Sequence, residues 1–375
     1  MNPLLEFLGR SRDEMVADLR DLVQRESPSD DIEALDVLSS HLALRAEQLT
    51  GGTVEEVEVP GGARHLRLEV PGRGDRTLLL LGHFDTVWPR GTLESMPFKI
   101  EEGRIYGPGA YDMKAGLVQG LWAIRALHET NRSHPPLVFF MNSDEETGSR
   151  TSRGLIETEA AAAAVCIVLE PAFHGALKTA RKGVGMFTID IKGRAAHAGS
   201  EPWEGASAIE EAARLVTLLH AETNRATGTT VNVGRIEGGT RTNVVAARAR
   251  LEVDLRVATT AEGERMMRLI LGLQAQDSRA HLTVAGGLNR PPMERTEAVA
   301  MLFASARMLA RELGFDVDEA SVGGGSDGNF CAAVNPAVMD GLGAVGDGAH
   351  AITEHVERDQ LAPRAALTAR LLETI

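Results

Sequence analysis

The chain has 375 residues, room for about two to three domains. Hydrophobic residues make up 43% and charged residues 25% of it, a globular balance that excludes disordered, collagen-like and low-complexity classes. Thirty-nine Lys and Arg against 53 Asp and Glu leave a net charge of −14 with no basic cluster, so neither nucleic acid nor a membrane surface is an expected partner.

The amino terminus, MNPLLEFLGRSRDEM, carries no basic leader and no apolar stretch ending in small residues, so no secretory signal is expected. Ser11 and Glu14 have capping-box spacing, and Met15, Leu19, Leu22 and Val23 then recur at helical spacing. A second amphipathic helix runs through Ile32, Leu35, Leu38, Leu42 and Leu49. GTVEEVEVP and ARHLRLEVP alternate in period two and predict antiparallel strands. Leu78 to Leu81, Leu137 to Met141 and Val165 to Leu169 are short, nearly continuous apolar runs, the first two separated by a helical segment from Met113 to His128. This is the pattern of an α/β sheet covered by helices on both faces. The longest apolar run, Ala160 to Leu169, falls short of the ~18 residues a membrane-spanning helix needs. Cys166 within it, and Cys331, stand alone, which excludes a disulfide framework or a Cys-rich zinc site and suits a reducing, cytoplasmic compartment.

From Val184 the pattern changes. A strand to Ile191, a helix from about Trp203 to Glu222 with apolar Ile209, Ala213, Val216 and Leu219, and strands near Val231 and from Val244 to Val257 are expected. A helix from Glu262 to Leu273 and a strand from His281 to Val284 complete a β-α-β-β-α-β order, the ferredoxin-like α+β unit. We read it as an inserted domain. The turn-rich GGLNRPPM returns the chain to α/β pattern, with a helix from Ala298 to Leu313 stopped by Gly314 and another in the last residues.

Acidic and His residues gather at the carboxyl ends of the core strands, where open α/β sheets build their sites. In LLLLGHFDTV, His83 and Asp85 lie two apart and face one side, so Asp85 can orient the His83 ring. GPGAYDMKAG places Asp112 in a Gly-rich loop before a helix. Glu145 and Glu146 follow another strand, and because adjacent side chains diverge, one can bind metal while the other serves as a base. Glu170 ends a third strand, and His350 lies in a glycine-rich loop near the carboxyl end. Imidazoles and carboxylates with no thiolate suit zinc or a similar divalent ion, and a shared carboxylate can bridge two ions. A dinuclear hydrolytic centre is the expected chemistry.

These blocks, GHFDTV, GPGAYDMKAG, DEETGS, LEPA and GGGSDGNF, resemble in kind and order the co-catalytic dizinc metallopeptidases. That family includes carboxypeptidase G (glutamate carboxypeptidase), aminoacylase, acetylornithine deacetylase and succinyl-diaminopimelate desuccinylase. The resemblance covers essentially the whole chain and is closest to the glutamate carboxypeptidases. It implies two Zn2+, replaceable by Co2+ or Mn2+, with His83 and Glu170 on one ion, Glu146 and His350 on the other, and Asp112 bridging. It makes Glu145 the general base and Asp85 the partner of His83. It also implies a discontinuous catalytic domain, 1–181 and 291–375, interrupted by a lid and dimerisation domain at 182–290. Within that lid, His197 in GRAAHAG, Asn243 in GGTRTNVV and Arg256 in VDLRV match residues that reach substrate, some of them across a homodimer.

The implied reaction is hydrolysis of an amide, releasing a glutamate-like C-terminal amino acid from a small peptide or N-acyl amino acid. A deacylase or dipeptidase of the same family is the nearest alternative. Two readings of other classes compete. Gly324, Ser326 and Gly328 satisfy the G-x-S-x-G pattern of a serine hydrolase elbow, which would leave the carboxylate series unexplained. A catalytically inactive relative that only binds peptide would be expected to have lost part of the set, and all of it is present.

Overall fold

The computed structural model describes residues 2–375 and divides into two compact units. One comprises the chain up to Ala180 with Arg295–Val322 and Ser326–Ile375; the other comprises Arg181–Glu294 with Gly323–Gly325.

The first unit is built on a six-stranded mixed sheet in the order Thr53–Val57, His65–Val70, Leu137–Asn142, Leu78–His83, Val165–Val168, Val338–Met339. The three apolar runs read from the sequence are its parallel centre, and Leu78–His83 and Leu137–Asn142 are buried at every position. The alternating pair pack antiparallel at one edge. Helix Ala115–Glu129 is buried on nearly all sides, and Trp122 within it donates its indole N–H to Asp18 at 2.7 Å, a core anchor. Gly116 is what lets this helix approach the sheet: a Cβ there would lie 2.1 Å from the Leu169 carbonyl oxygen. That close approach brings the loop before the helix beside the end of strand Val165–Val168.

Several boundaries differ from those expected. A helix, Pro3–Arg10, precedes the one starting near Ser11 and is capped by the Asn2 side chain. The Ser11 capping box does not form, because Ser11 also ends that first helix and sits at φ −86°, ψ 4° instead of the extended backbone a side-chain cap needs. The helix read from Met113 begins at Ala115, after an irregular turn over Ala110–Lys114.

The second unit is a four-stranded antiparallel sheet in the order Thr230–Gly238, Arg248–Val257, Gly183–Lys192, His281–Arg290, with helices Ala208–Ala221 and Thr260–Leu271. Chain order is the expected β-α-β-β-α-β. Its core takes alternate strand residues, Phe187, Ile189 and Ile191 with Leu251, Val253 and Leu255. The first helix starts at Ala208, where Ser207 caps it, and Trp203 lies in a separate single turn, 80% exposed. The buried stripe of that helix is Ala208, Ala212, Leu215 and Leu219; Ile209, from the neighbouring apolar stripe, is 45% exposed. Both stripes have helical period, and only packing on the sheet selects between them. The strand expected from Val244 starts at Arg248, after a loop that holds Asn243. The last strand runs on through GGLNR because Gly286, at φ +116° and with no room for a Cβ against the Met186 carbonyl at 2.1 Å, absorbs the distortion.

Cys166 and Cys331 are buried free thiols. Among the described residues no helix is long and apolar enough to cross a membrane.

Candidate metal centre

His83 is the last residue of strand Leu78–His83. Its ring is buried, with Nδ1 3.1 Å from the Asp85 carbonyl oxygen and 3.3 Å from Asp85 Oδ1. Its Nε2 faces two carboxylates from other elements, Asp112 Oδ1 at 3.3 Å and Glu170 Oε1 at 3.5 Å. The other oxygen of Asp112 faces His350 Nε2 at 3.5 Å, and the same nitrogen lies 3.3 Å from Glu146 Oε2. Two groups of donor atoms therefore share Asp112: His83, Asp112 and Glu170, and Asp112, Glu146 and His350, each with its atoms within 4.8 Å of one another.

A divalent metal pair fits these residues on more than ligand type. His83 Nε2 and Glu146 Oε1 are buried yet make no hydrogen bond among the described residues. Unpaired buried polar atoms are costly unless something else coordinates them. The electrostatics agree. Burial alone would depress the His83 pKa, but Asp112, Asp85 and Glu170 hold it well above the ordinary imidazole value. Asp112 and Glu146 raise His350 to about 10. Burial pushes the Glu146 carboxyl up, whereas the two imidazoles outweigh burial at Asp112 and pull it down. The carboxylates thus favour positive charge at both imidazole positions.

Asp85 does more than orient His83. Fully buried, it accepts the backbone N–H of Glu145 at Oδ1 and that of Glu146 at Oδ2, each at 3.1 Å, and the Ser29 hydroxyl at 2.7 Å. One carboxylate thus fixes the turn over Glu145–Thr147 against the end of the His83 strand. Glu145 falls in neither donor group.

The loop that bears Asp112 is held by residues that sequence reading passed over. Glu354 accepts three of its backbone N–H groups, and Lys114, buried, donates to the carbonyls of Leu22 and Arg25. Gly109 turns that loop at φ +68°, with Thr86 2.4 Å from where a Cβ would be. The available signals were short-range: Glu354 lies four residues after His350, and Lys114 two after Asp112. A cavity of about 300 Å3 adjoins Asp112 and Glu170 and is lined also by Phe173, His174 and Lys178.

Ser326 is not presented as a nucleophile. It is fully buried, donates its hydroxyl to Asp340 at 2.7 Å and accepts the Gly328 N–H at 3.1 Å. A hydroxyl aimed at a buried carboxylate lacks the imidazole base and the access that an elbow requires.

The remaining candidates lie in the second unit. His197 and Asn243 sit side by side through backbone pairing, Ala198 N–H donating to the Asn243 carbonyl at 3.0 Å. The exposed His197 ring accepts the N–H of Gly199 and Ser200 at Nδ1, at 3.1 and 3.0 Å, so the neutral ring carries its proton on Nε2 and offers it as a donor. Arg256, on strand Arg248–Val257, forks onto Asp254 of the same strand, Nε to Oδ1 and Nη2 to Oδ2, both at 2.9 Å.

Comparison with known proteins follows the same lines. The model of peptidase family M20/M25/M40 matches residues 79–374. Carboxypeptidase G2 of Pseudomonas sp. strain RS-16 is 29% identical over 381 residues, covering 99% of this chain and 91% of the relative. A succinyl-diaminopimelate desuccinylase of Dechloromonas aromatica is 30% identical over 319 residues, covering 78% and 82% of the two chains. The crystal structure of aminopeptidase PepT from Bacillus cereus superposes with a TM-score of 0.81 at 25% identity, over 96% of this chain and 98% of that one. With the family pattern running from the strand that ends in His83 to beyond His350, well over half of the chain, the chain belongs to peptidase family M20/M25/M40, a family of hydrolases.

Proposed function

We propose that this member of the family is a dizinc amidohydrolase that releases a glutamate-like C-terminal amino acid from a small peptide or N-acyl amino acid. The observation that carries the proposal is the division of Asp112 between two His-and-carboxylate groups. His83 and Glu170 would hold one ion, Glu146 and His350 the other, and Asp112 both. Zinc, or Co2+ or Mn2+ in its place, supplies a lowered water pKa and Lewis-acid polarisation of the amide carbonyl. Glu145 takes the proton of the attacking water and delivers it to the leaving nitrogen, which is why it must stay outside the ligand set. Asp85 keeps the His83 ring and the Glu145 turn in place.

The second unit, close to residues 182–290, is the lid and dimerisation domain in this reading, working in a homodimer. The Nε2 proton of His197, with Asn243 beside it, is suited to an oxyanion. Arg256 is suited to a substrate carboxylate by its planar fork, at the cost of exchanging its present partner Asp254. Two buried thiols that form no disulfide are compatible with a cytoplasmic setting. A deacylase or dipeptidase activity is the second reading, favoured by similarity to a desuccinylase and to PepT. A hydrolysis screen of N-acyl amino acids and dipeptides on zinc-reconstituted protein separates the two. Cleavage confined to substrates with a free C-terminal acidic residue is expected. Activity on none of them, with or without metal, would defeat the proposal.

A further inference from the structure

The carboxylate of Glu354 is fully buried and accepts four hydrogen bonds. Oε1 receives the backbone N–H of Tyr111 at 2.9 Å and of Asp112 at 3.1 Å; Oε2 receives that of Gly109 at 3.0 Å and the Trp88 indole N–H at 2.7 Å. Two of these donors, Tyr111 and Asp112, belong to the irregular turn that presents Asp112, and a third, Gly109, immediately precedes it. The turn satisfies only some of its own N–H groups, as Lys114 does on the Gly109 carbonyl at 3.0 Å, so in a buried position the others depend on an outside acceptor. The backbone of Glu354 meanwhile belongs to the segment that presents His350. There Ala351 N–H donates to Gly348 and Glu354 N–H to Ala351, at 2.9 and 2.8 Å, while His350 itself is held at φ +61°. One residue therefore grips the Asp112 turn by its side chain and the His350 turn by its main chain.

We infer that Glu354 is a positioning residue that sets the placement of Asp112 against His350, and so the affinity of the centre for its ions. The inference rests on the dimetal reading above. Metal–ligand distances are tolerant to only about 0.2 Å, and loss of residues that orient ligands typically costs about 10- to 100-fold in affinity. A glutamine here keeps the volume but turns an NH2 group toward N–H donors. Trp88, by contrast, touches the same carboxylate without belonging to the Asp112 turn.

The test is competition of metal-free protein with a chromophoric chelator for Zn2+, with the far-ultraviolet circular dichroism of each metal-free protein recorded beside it. Wild type is expected to take up two ions. Glu354→Gln should stay folded and lose about 10- to 100-fold in affinity, Glu354→Asp should recover part of that loss, and Trp88→Phe should lose less than Glu354→Gln. Unchanged affinity in folded Glu354→Gln overturns the inference and leaves the dimetal reading standing. Equal losses in Glu354→Gln and Trp88→Phe also overturn it, since the turn's N–H groups would then not be what matters. If Glu354→Gln fails to fold, Glu354→Asp carries the test, and normal affinity in it, or failure of both to fold, assigns the carboxylate to the fold alone. A wild type that binds no divalent ion defeats this inference and the dimetal reading together.

Discussion

Most of the candidate residues of the two units are built in opposite ways. In the first unit, His83, Asp85, Asp112, Glu146 and Glu170 are wholly or largely buried, with His350 the exposed exception; they arrive from strand ends and from the turn before helix Ala115–Glu129, and are steadied by groups such as Asp85 and Glu354 that accept buried backbone N–H bonds. In the second, His197 and Asn243 lie on exposed loops joined by a backbone hydrogen bond and Arg256 on a half-exposed strand position, the His197 ring and the Arg256 fork being held by neighbours close in sequence. Buried, convergent charges are expensive and persist only where a cation or chemistry repays them. Exposed donors held locally cost little and are free to meet a ligand. Effects should therefore fall on metal content and turnover in the first unit and on substrate affinity in the second.

The largest effect expected is from metal removal. Chelation should abolish amide hydrolysis and Zn2+ or Co2+ should restore it, checked by turnover against metal content. Full turnover in metal-free protein would erase the contrast between the units. Next is Glu145→Gln, expected to lower kcat by about 10²- to 10⁴-fold with both ions retained, while Glu146→Gln loses metal as well. Equal metal loss in both, measured by elemental analysis, would mean that the two adjacent carboxylates have been given each other's roles.

On the second unit, Arg256→Ala should raise KM for substrates with a free α-carboxylate and matter little for amidated analogues. The loss of a charge-assisted pair is worth roughly 1.5 to 3 kcal/mol, about 10- to 150-fold, and the competing Asp254 pair places the effect toward the lower end. A kcat loss with unchanged KM would break the assignment of affinity to this unit. Sedimentation should find a homodimer at micromolar concentration; a fully active monomer would exclude completion of the site across two chains.

The smallest effect on activity is expected from Ser326→Ala. Removing a buried hydroxyl from Asp340 should cost about 1 to 3 kcal/mol of stability, read by denaturant unfolding, with kcat nearly unchanged and no inactivation of wild type by a fluorophosphonate. A dead Ser326→Ala that still folds and binds metal would revive the serine hydrolase reading.

The layered α/β plan, the β-α-β-β-α-β order of the second unit, and the strand-end position of His83, Glu146 and Glu170 are legible in the residues alone, because hydrophobic period and strand length are local properties carried by residues such as Leu78 to Leu81. The sequence also carried the family, through blocks of contiguous residues. Tertiary structure decided the rest. Ile209 and Leu215 are both apolar at helical spacing, and only the sheet beneath them buries one and exposes the other. Ser11 and Glu14 have the spacing of a cap, yet the helix ending at Arg10 holds Ser11 in the wrong conformation for it. Ser326 matches a nucleophile pattern, and only packing shows its hydroxyl turned to Asp340. Glu354 is one acidic residue among 53 Asp and Glu in the sequence; its meaning lies in N–H donors some 240 positions away in the chain. Local pattern encodes which surface an element must bury, whereas the partner that a buried polar group finds is a long-range event that no window of sequence contains.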